Sequence, residues 1–248
     1  MYLIGDIGNT DIKICLFNKN CKIKKKLILK TNLISNKYLI LKLNFLKKYS
    51  NKIKKILFSS VVPSVFFIIK KFLRKKLNQK CIELKQINLK KLVRIMVNKK
   101  QVGSDRISNA IGMIDKKSNY IILDFGTATT FDVVIKDKYL GGIIAPGVNL
   151  SLKTLISKAS LIPPVNLSKI SKVVGTNTDS AVKSGFYWGY LGLIDNIIKL
   201  IIKQTRKPFK IILTGGLAHL FKNTIKGKIE IKKDLTINGL LKVAKSLK

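Results

Sequence analysis

An α/β fold made twice from similar halves is what this sequence predicts, and three observations carry it. Short apolar runs of strand length, Tyr2 to Ile7 and Ile12 to Phe17 early on, Tyr120 to Asp124 and Thr130 to Ile135 later, alternate with longer helical patterns. Asp6-Ile7-Gly8-Asn9-Thr10 and Asp124-Phe125-Gly126-Thr127-Ala128 each set an aspartate at a strand end, a glycine two residues on, and a second strand after the turn. Two such matches at corresponding places form a weak internal repeat of the kind duplication leaves. The 248 residues suffice for one large α/β domain or two of roughly 100 to 150 residues.

Taken in order, the first two runs read as a hairpin across Gly8, Asn9 and Thr10. A helical pattern follows over Lys37 to Lys48, then a strand at Ile56 to Ser59 and a helix near Ser64 that Pro63 delimits. Residues Gly103 to Asp115 read as a loop entering a helix. The second half restarts with a hairpin around Gly126-Thr127-Ala128 and leads through Gly141-Gly142 to Pro146-Gly147 and a helical stretch over Val148 to Ser157. The longest helical pattern runs from Asp179 to Gln204, and a buried-type strand, Lys210 to Leu213, ends in Thr214-Gly215-Gly216. The boundary between halves is expected near Lys116 to Asn119, giving domains 1–117 and 118–248.

Composition excludes several chemistries. Three cysteines without C-x-x-C spacing argue for reduced thiols rather than a disulfide framework or zinc cluster. One histidine, His219, leaves no room for a two-histidine metal site, and Glu83 and Glu230 are the only glutamates, so acid-base work falls on aspartates. No apolar stretch has the ~20 uninterrupted residues a bilayer needs, and the opening residues do not read as a signal peptide, so the cytoplasm is expected. The net charge of +37 suggests polyanion binding, but 45 of the 49 basic residues are Lys, spread along the chain with 37 Ile and only 7 Ala. Drift toward A and T codons accounts for that pattern. Runs such as Lys22 to Lys26, Lys47 to Lys55 and Lys70 to Lys76 are then solvated faces, attracting nucleic acid only non-specifically.

Neither G-x-x-x-x-G-K-[ST] nor G-x-G-x-x-G is present. Phosphate has another holder, since successive N–H groups of a tight Gly/Thr turn form an anion-binding concavity and a strand-end Asp can position a hydrated cation. The Asp6 to Thr10 and Asp124 to Thr130 turns are two such devices, and Thr214-Gly215-Gly216 lets backbone approach a flat adenine or ribose. Were the halves to face each other, a nucleotide's phosphates would lie between them. The bland readings are a hairpin turn for each device, an N-cap for Asp105, a surface ion pair for Arg106 and a helix start for Thr178. Gly185, Gly189 and Gly192 are expected to allow close helix packing, Phe186, Tyr187, Trp188 and Tyr190 to be core or subunit interface, and His219 to sit idle on a helix.

The order of these motifs, with Gly103-Ser104-Asp105-Arg106 and Gly175-Thr176-Asn177-Thr178 between them, resembles type III pantothenate kinase over nearly the whole chain. The resemblance implies two actin-like, ribonuclease-H-like domains with mixed sheets flanked by helices, a cytoplasmic homodimer, and ATP-dependent phosphorylation of pantothenate, the first step of coenzyme A synthesis. It implies ATP contacts at Asp6, Ile7, Gly8, Asn9, Thr10, Asp11, Ile12, Lys13, Thr127, Gly215 and Gly216, and magnesium arriving with ATP. Asp124 matches the ligand of a monovalent cation, potassium or ammonium. Pantothenate contacts fall on Gly103, Ser104, Asp105, Arg106 and, from the neighbouring subunit, Thr178, with Asp105 the proton acceptor. The first domain then carries the first phosphate turn and the substrate loop, the second the other phosphate turn, the adenosine motif and the dimer interface. Where the family usually has an aromatic residue followed by Asn-Pro-x-Glu, this chain has Met96, then Lys99 for the proline and Gln101 for the glutamate, and Ser104 stands where alanine is common. The alternative reading is a transcription accessory protein that binds nucleic acid without kinase activity.

Overall fold

The computed structural model describes residues 1–247, and its contacts group them into two compact units. The first contains residues 1–115, 137–139 and 234–247, and the second residues 116–136 and 140–233. The C-terminal segment thus belongs to the first unit, a grouping that only contacts distant in sequence define.

The first unit is built on strands β1 (Tyr2–Ile7), β2 (Asp11–Phe17), β3 (Ile23–Lys30), β4 (Lys55–Ser60) and β5 (Cys81–Glu83), in the order β3-β2-β1-β4-β5. β1, β2 and β3 are joined antiparallel, whereas β1 and β4, and β4 and β5, run parallel. Helices α1 (Asn36–Leu43) and α2 (Pro63–Leu77) and the 3-10 run Asn44–Lys52 cover one face, closing a core of Leu3, Ile7, Ile14, Leu39, Leu46, Ile69 and Leu73. Pro63 opens α2 at a position whose N–H has no helical partner in any case.

Strand β3 absorbs most of the lysine run expected to be a solvated face. Its first four residues, Ile23 to Lys26, are exposed, and β3 is the edge of its sheet, where lysines discourage pairing with another chain. The sequence reading had no strand there because the alternation is hidden under consecutive charges.

Helices α3 (Ser104–Met113) and α7 (Leu235–Ser246) belong to the same unit and pack on β4 and on β1 and β4, respectively. Between the two helices lies a buried polar seam. Ser108 Oγ donates to the Thr236 carbonyl at 2.7 Å, and Thr236 Oγ1 to Asn109 Oδ1 at 2.9 Å. Lys242 Nζ donates to the carbonyls of Ile111 (3.0 Å) and Ile114 (2.6 Å), placing a cation on the C-terminal end of α3. Desolvation of its ammonium against these carbonyls holds it below the usual lysine range, although the residue as a whole is exposed. The short strand β6 (Arg94–Ile95) pairs parallel with Lys138 and Tyr139, which also group with this unit.

The second unit repeats the plan. Its strands are β7 (Asn119–Phe125), β8 (Ala128–Ile135), β9 (Lys138–Pro146) from Leu140 onward, β10 (Lys210–Gly215) and β11 (Ile229–Ile231), in the order β9-β8-β7-β10-β11. The hairpin β7–β8 is antiparallel and β7, β10 and β11 run parallel, so each strand has a counterpart in the first sheet. Helix α4 (Val148–Lys158) and the 28-residue α5 (Thr178–Thr205) follow the hairpin, and a single turn, α6 (Ala218–Phe221), follows β10. Tyr187, Leu191, Ile194, Ile198 and Ile201 recur every three or four residues along α5 and bury one stripe against Leu123, Phe131 and Leu213. Tyr187 stacks on Phe221, which stacks on Phe125.

Here one expectation is corrected. Gly185, Gly189 and Gly192 do not permit close helix packing within this chain, because no atom lies within 4 Å of where a Cβ would stand at any of them. They occupy the exposed side of α5, away from the stripe that faces the core.

Cys15 and Cys81 are buried in the first unit, and burial pushes their thiols up to about 11 and about 12. Cys21, in a turn at φ 59°, is half-buried. We therefore expect a thiol reagent at pH 8 to add one label, at Cys21, to the native protein and three after denaturation. Mass spectrometry of the intact protein reads the difference; native labelling at Cys15 or Cys81 would contradict the burial.

Candidate active site

The parallel pairing of β1 with β4 sets their C-terminal ends side by side, and there Asp6 stands opposite Ser59. Buried Ser59 donates to Asp6 Oδ1 at 2.6 Å, which fixes the carboxylate's orientation. The following turn is held from outside. Thr31 donates through Oγ1 to the Gly8 carbonyl (2.8 Å) and through N–H to the Thr10 carbonyl (3.0 Å), while Gly8 N–H donates to Asp11. Asn9 and Thr10 are exposed, whereas the side chains of Ile7 and Ile12 are fully buried, so these two can meet a ligand only through backbone. Asp11 pairs with Lys30 at 2.8 Å, and Lys13 lies 3.9 Å from Asp234.

One residue beyond Ser59, the end of β4 receives the start of α3. Ser104 Oγ accepts from Ser60 N–H (2.9 Å) and donates to the Ser60 carbonyl (3.0 Å). This two-way tie brings Asp6 and the segment Gly103–Arg106 to the same edge of one sheet. Ser104 is itself completely buried, so its side chain is a fastener rather than a ligand contact.

Asp105 is not the N-cap. Gly103 holds that position, and Asp105 sits in the first turn of α3, where its Oδ1 accepts from the Arg106 N–H at 2.9 Å. Burial pushes its carboxyl above the usual range, opposed by the Arg106 N–H, the Arg106 charge and Lys85. Arg106 is half-buried beside it. Glu83, at the end of β5, is a second carboxyl raised by burial; the Lys85 N–H, donated to its Oε2 at 2.7 Å, favours its ionised form. A strand-end aspartate tied to a hydroxyl, with a half-buried aspartate and an arginine on the adjoining helix, can bind a hydrated cation and take a proton from an alcohol.

The second unit repeats the first device. Asp124 stands opposite Thr214 on β10, as Asp6 stands opposite Ser59, and opposite Thr130 on β8. The hydroxyls of Thr129 and Thr130 are buried, and neither makes a hydrogen bond among the described residues. Gly126 N–H donates to the Ala128 carbonyl at 3.0 Å to close the turn, on which Thr127 is exposed. Gly147 presses on that turn, since a Cβ there would overlap the Thr127 carbonyl. At Gly215 φ is +88°, and a Cβ would lie 2.5 Å from the Phe125 carbonyl oxygen and 2.7 Å from Asp124 Oδ1, so only glycine lets β10 leave beside Asp124. Gly216 N–H donates to the Phe125 carbonyl at 3.1 Å, and His219 Nδ1 lies 3.1 Å from the Gly216 carbonyl, steadying the same turn.

Thr178 is the exposed first residue of α5, whose N-cap Asn177 and Ser180 form a reciprocal capping box. Asp179 in the first turn pairs with Lys183 at 2.7 Å. Among the described residues no three His, Cys, Asp or Glu side chains gather as metal ligands.

The sequence reading gave no site role to Ser59, Ser60 or Glu83, and it placed Thr214 only in the motif that approaches adenine or ribose, not beside Asp124. A signal for two of them existed: Lys55-Ile56-Leu57-Phe58-Ser59-Ser60 and Lys210-Ile211-Ile212-Leu213-Thr214-Gly215 are equivalent strands that place a hydroxyl, Ser59 or Thr214, at the same position.

A family profile described as type III pantothenate kinase matches residues 2–200. The chain is 55% identical to a type III pantothenate kinase of Pelagibacter ubique (strain HTCC1062) over 248 residues, the whole length of both. The chain belongs to the type III pantothenate kinase family. A second member, from Desulforapulum autotrophicum, is 36% identical over 98% of this chain and 96% of its own.

Among solved structures, a conserved protein of the Baf transcriptional activator family from Campylobacter jejuni aligns with a TM-score of 0.61 at 21% identity, covering 98% of this chain and 97% of that one. A propionate kinase from Francisella tularensis aligns at 0.55 and 10% identity, covering 100% and 99%. At such identities the likeness speaks for the fold, which is the duplicated actin-like one. Of the positions where this family member departs from the expected pattern, Met96 is 57% exposed just after β6, with its N–H donating to the Tyr139 carbonyl, and Gln101 is exposed.

The burial of Asp105 has a consequence for stability. A carboxyl raised in the folded state favours folding fully below its unfolded value of about 3.9, and that contribution is lost as pH rises through the folded value. Asp105→Asn keeps the acceptor for Arg106 N–H, so at pH 7 we expect it to be more stable than the native protein by about 1 kcal/mol. The advantage should disappear below about pH 3.9, as read from urea midpoints at several pH values.

Proposed function

We propose that this protein transfers the γ-phosphoryl group of ATP to the primary hydroxyl of pantothenate, giving 4′-phosphopantothenate, the first step of coenzyme A synthesis. The observation that carries this reading is Asp105, half-buried in the first turn of α3 beside Arg106 and fastened to the strand edge that bears Asp6. Family membership over the full chain supports the same substrates.

In this reading Asp105 accepts the hydroxyl proton as the oxygen bonds to the γ-phosphorus, the bond to the bridging oxygen breaks, and ADP leaves. Arg106 pairs with the pantothenate carboxylate, for which a guanidinium is suited. Backbone groups of Asp6–Lys13 and the exposed Thr127 hold ATP oxygens, and Gly215 and Gly216 let the chain lie against the adenosine. Magnesium arrives on the ATP phosphates and keeps most of its waters, Asp6 being the strand-end carboxylate suited to orient them. A potassium or ammonium ion fits the second unit, where the Thr130 hydroxyl is buried without a hydrogen bond opposite Asp124; these two residues would hold it, and it would offset phosphate charge.

The protein acts as a homodimer, with Thr178 of the partner subunit completing the pantothenate contacts. The bare side of α5 at Gly185, Gly189 and Gly192, with Leu200 and Ile202 exposed further along, supports a second copy there. The cytoplasm is the compartment where these substrates meet; among the described residues no helix is long and apolar enough to cross a membrane.

Incubation with ATP, magnesium, potassium and pantothenate should give a product heavier by one phosphoryl group. Asp105→Asn should lower kcat about 10²- to 10⁴-fold, and turnover equal to that of the native protein would remove Asp105 as the base. The pH profile of native kcat/KM should fall on the acid side with an inflection above the ordinary aspartate value of about 3.9. Gly189→Arg should yield a folded monomer by light scattering, with pantothenate turnover lost; a dimer of unchanged mass would move the interface elsewhere.

A further inference from the structure

Two short turns lie side by side in the first unit, between the end of β5 and the start of α3. Each is closed by its own side chains. In the first, Glu83 Oε2 accepts from Lys85 N–H at 2.7 Å, and Gln86 Oε1 from Glu83 N–H at 3.3 Å. In the second, Asn98 accepts from Lys100 N–H through Oδ1 (3.0 Å) and from Gln101 N–H through its carbonyl (3.0 Å).

The turns are then laced in both directions. Lys99 Nζ donates to the carbonyls of Lys85 (3.0 Å) and Ile87 (3.1 Å), and Lys85 Nζ donates to the carbonyl of Lys100 (3.1 Å). Lys85 and Lys99 are both half-buried, unlike the lysines of the exposed edge strand β3. An ammonium is a compact charge with three donors, so Lys99 can hold two carbonyls at once. Two residues after Gln101 comes Gly103, the N-cap of α3, and two further on comes Asp105. On its other side the laced segment is anchored by Met96 N–H on the Tyr139 carbonyl at 2.9 Å. The approach to Asp105 is therefore a short run that lysine-to-carbonyl bonds hold together with the buried side chains of Leu84 and Val102.

We propose that Lys85 and Lys99 are positioning residues for the phosphoryl acceptor: by lacing turn 84–87 to turn 98–101 they fix the segment that enters α3, and with it the Asp105 carboxylate relative to the acceptor's hydroxyl. This rests on the kinase reading above, in which the acceptor is pantothenate. Misplacement of reacting groups by about 1 Å can cost as much as 10²-fold in rate, and loosening one turn should cost less.

The test is steady-state kinetics of the full-length protein with Lys99→Met, Lys85→Met, the double variant and Lys99→Arg. We expect kcat/KM for pantothenate to fall about 10-fold in Lys99→Met, with KM for ATP and the melting temperature unchanged. Lys99→Arg, which keeps the charge and several donors, should recover most of the loss, and the double variant should lose less than the product of the two single effects. Wild-type kcat/KM for pantothenate in both Lys99→Met and the double variant would overturn the proposal. So would a rise in KM for ATP in step with that for pantothenate, the mark of a general loosening of the fold. Absence of pantothenate turnover in the native protein would bring down the kinase reading itself and this proposal with it, a result distinct from native turnover that the variants leave untouched.

Discussion

Everything at the candidate site depends on the parallel pairing of β1 with β4 and of β7 with β10. Parallel strands end on the same edge of their sheet, so the residues that leave them emerge together. In the first unit this sets Asp6 against Ser59 and hands the end of β4 to Ser104. In the second it sets Asp124 against Thr214 and brings Gly215 within reach of the Asp124 carboxylate. A one-residue slip in either pairing would turn each aspartate to the opposite face and lose the hydroxyl that orients it.

The same constraint explains why the polar groups of the site are affordable to the fold. Asp105 and Glu83 carry a desolvation cost that shows as raised carboxyl values. Their surroundings offset only part of it, through the Arg106 and Lys85 N–H groups and nearby positive charge. The remainder is sustained by the apolar clusters behind each sheet and by the seam between α3 and α7, where Ser108, Asn109 and Thr236 satisfy one another's bonds. A carboxyl raised by burial in the first turn of a helix is found more often at functional sites than at purely structural helix starts.

Much of the fold was legible in the residues. Tyr2 to Ile7 and Ile12 to Phe17 form a hairpin because alternating apolar side chains flank a Gly-Asn-Thr turn, and α5 was visible in its apolar stripe. Strand β3 was hidden because an edge strand does not need apolar alternation, only hydrogen bonds to β2. The glycines of α5 were assigned to packing since sequence spacing reports which residues share a helix face, not whether anything lies opposite. Of the site, the turns and the Gly103–Arg106 segment were legible as motifs. The pairing of Ser59 with Asp6 and of Thr214 with Asp124 was not, because a hydroxyl gains that role only from the strand that pairs beside it.

The sequence by itself determined the repeated strand–turn–strand devices, the presence of one histidine and of three cysteines without C-x-x-C spacing, and the likeness to a kinase family, all of which are local matters of residue type and spacing. Tertiary structure alone decided that α7 belongs with the first unit, that Ser104 is spent on Ser60, that Asp105 is half-buried rather than a capping residue, and that Lys85 and Lys99 grip each other's turns. These depend on contacts between residues far apart in the chain, and desolvation, register and hydrogen-bond partners exist only once those contacts are made.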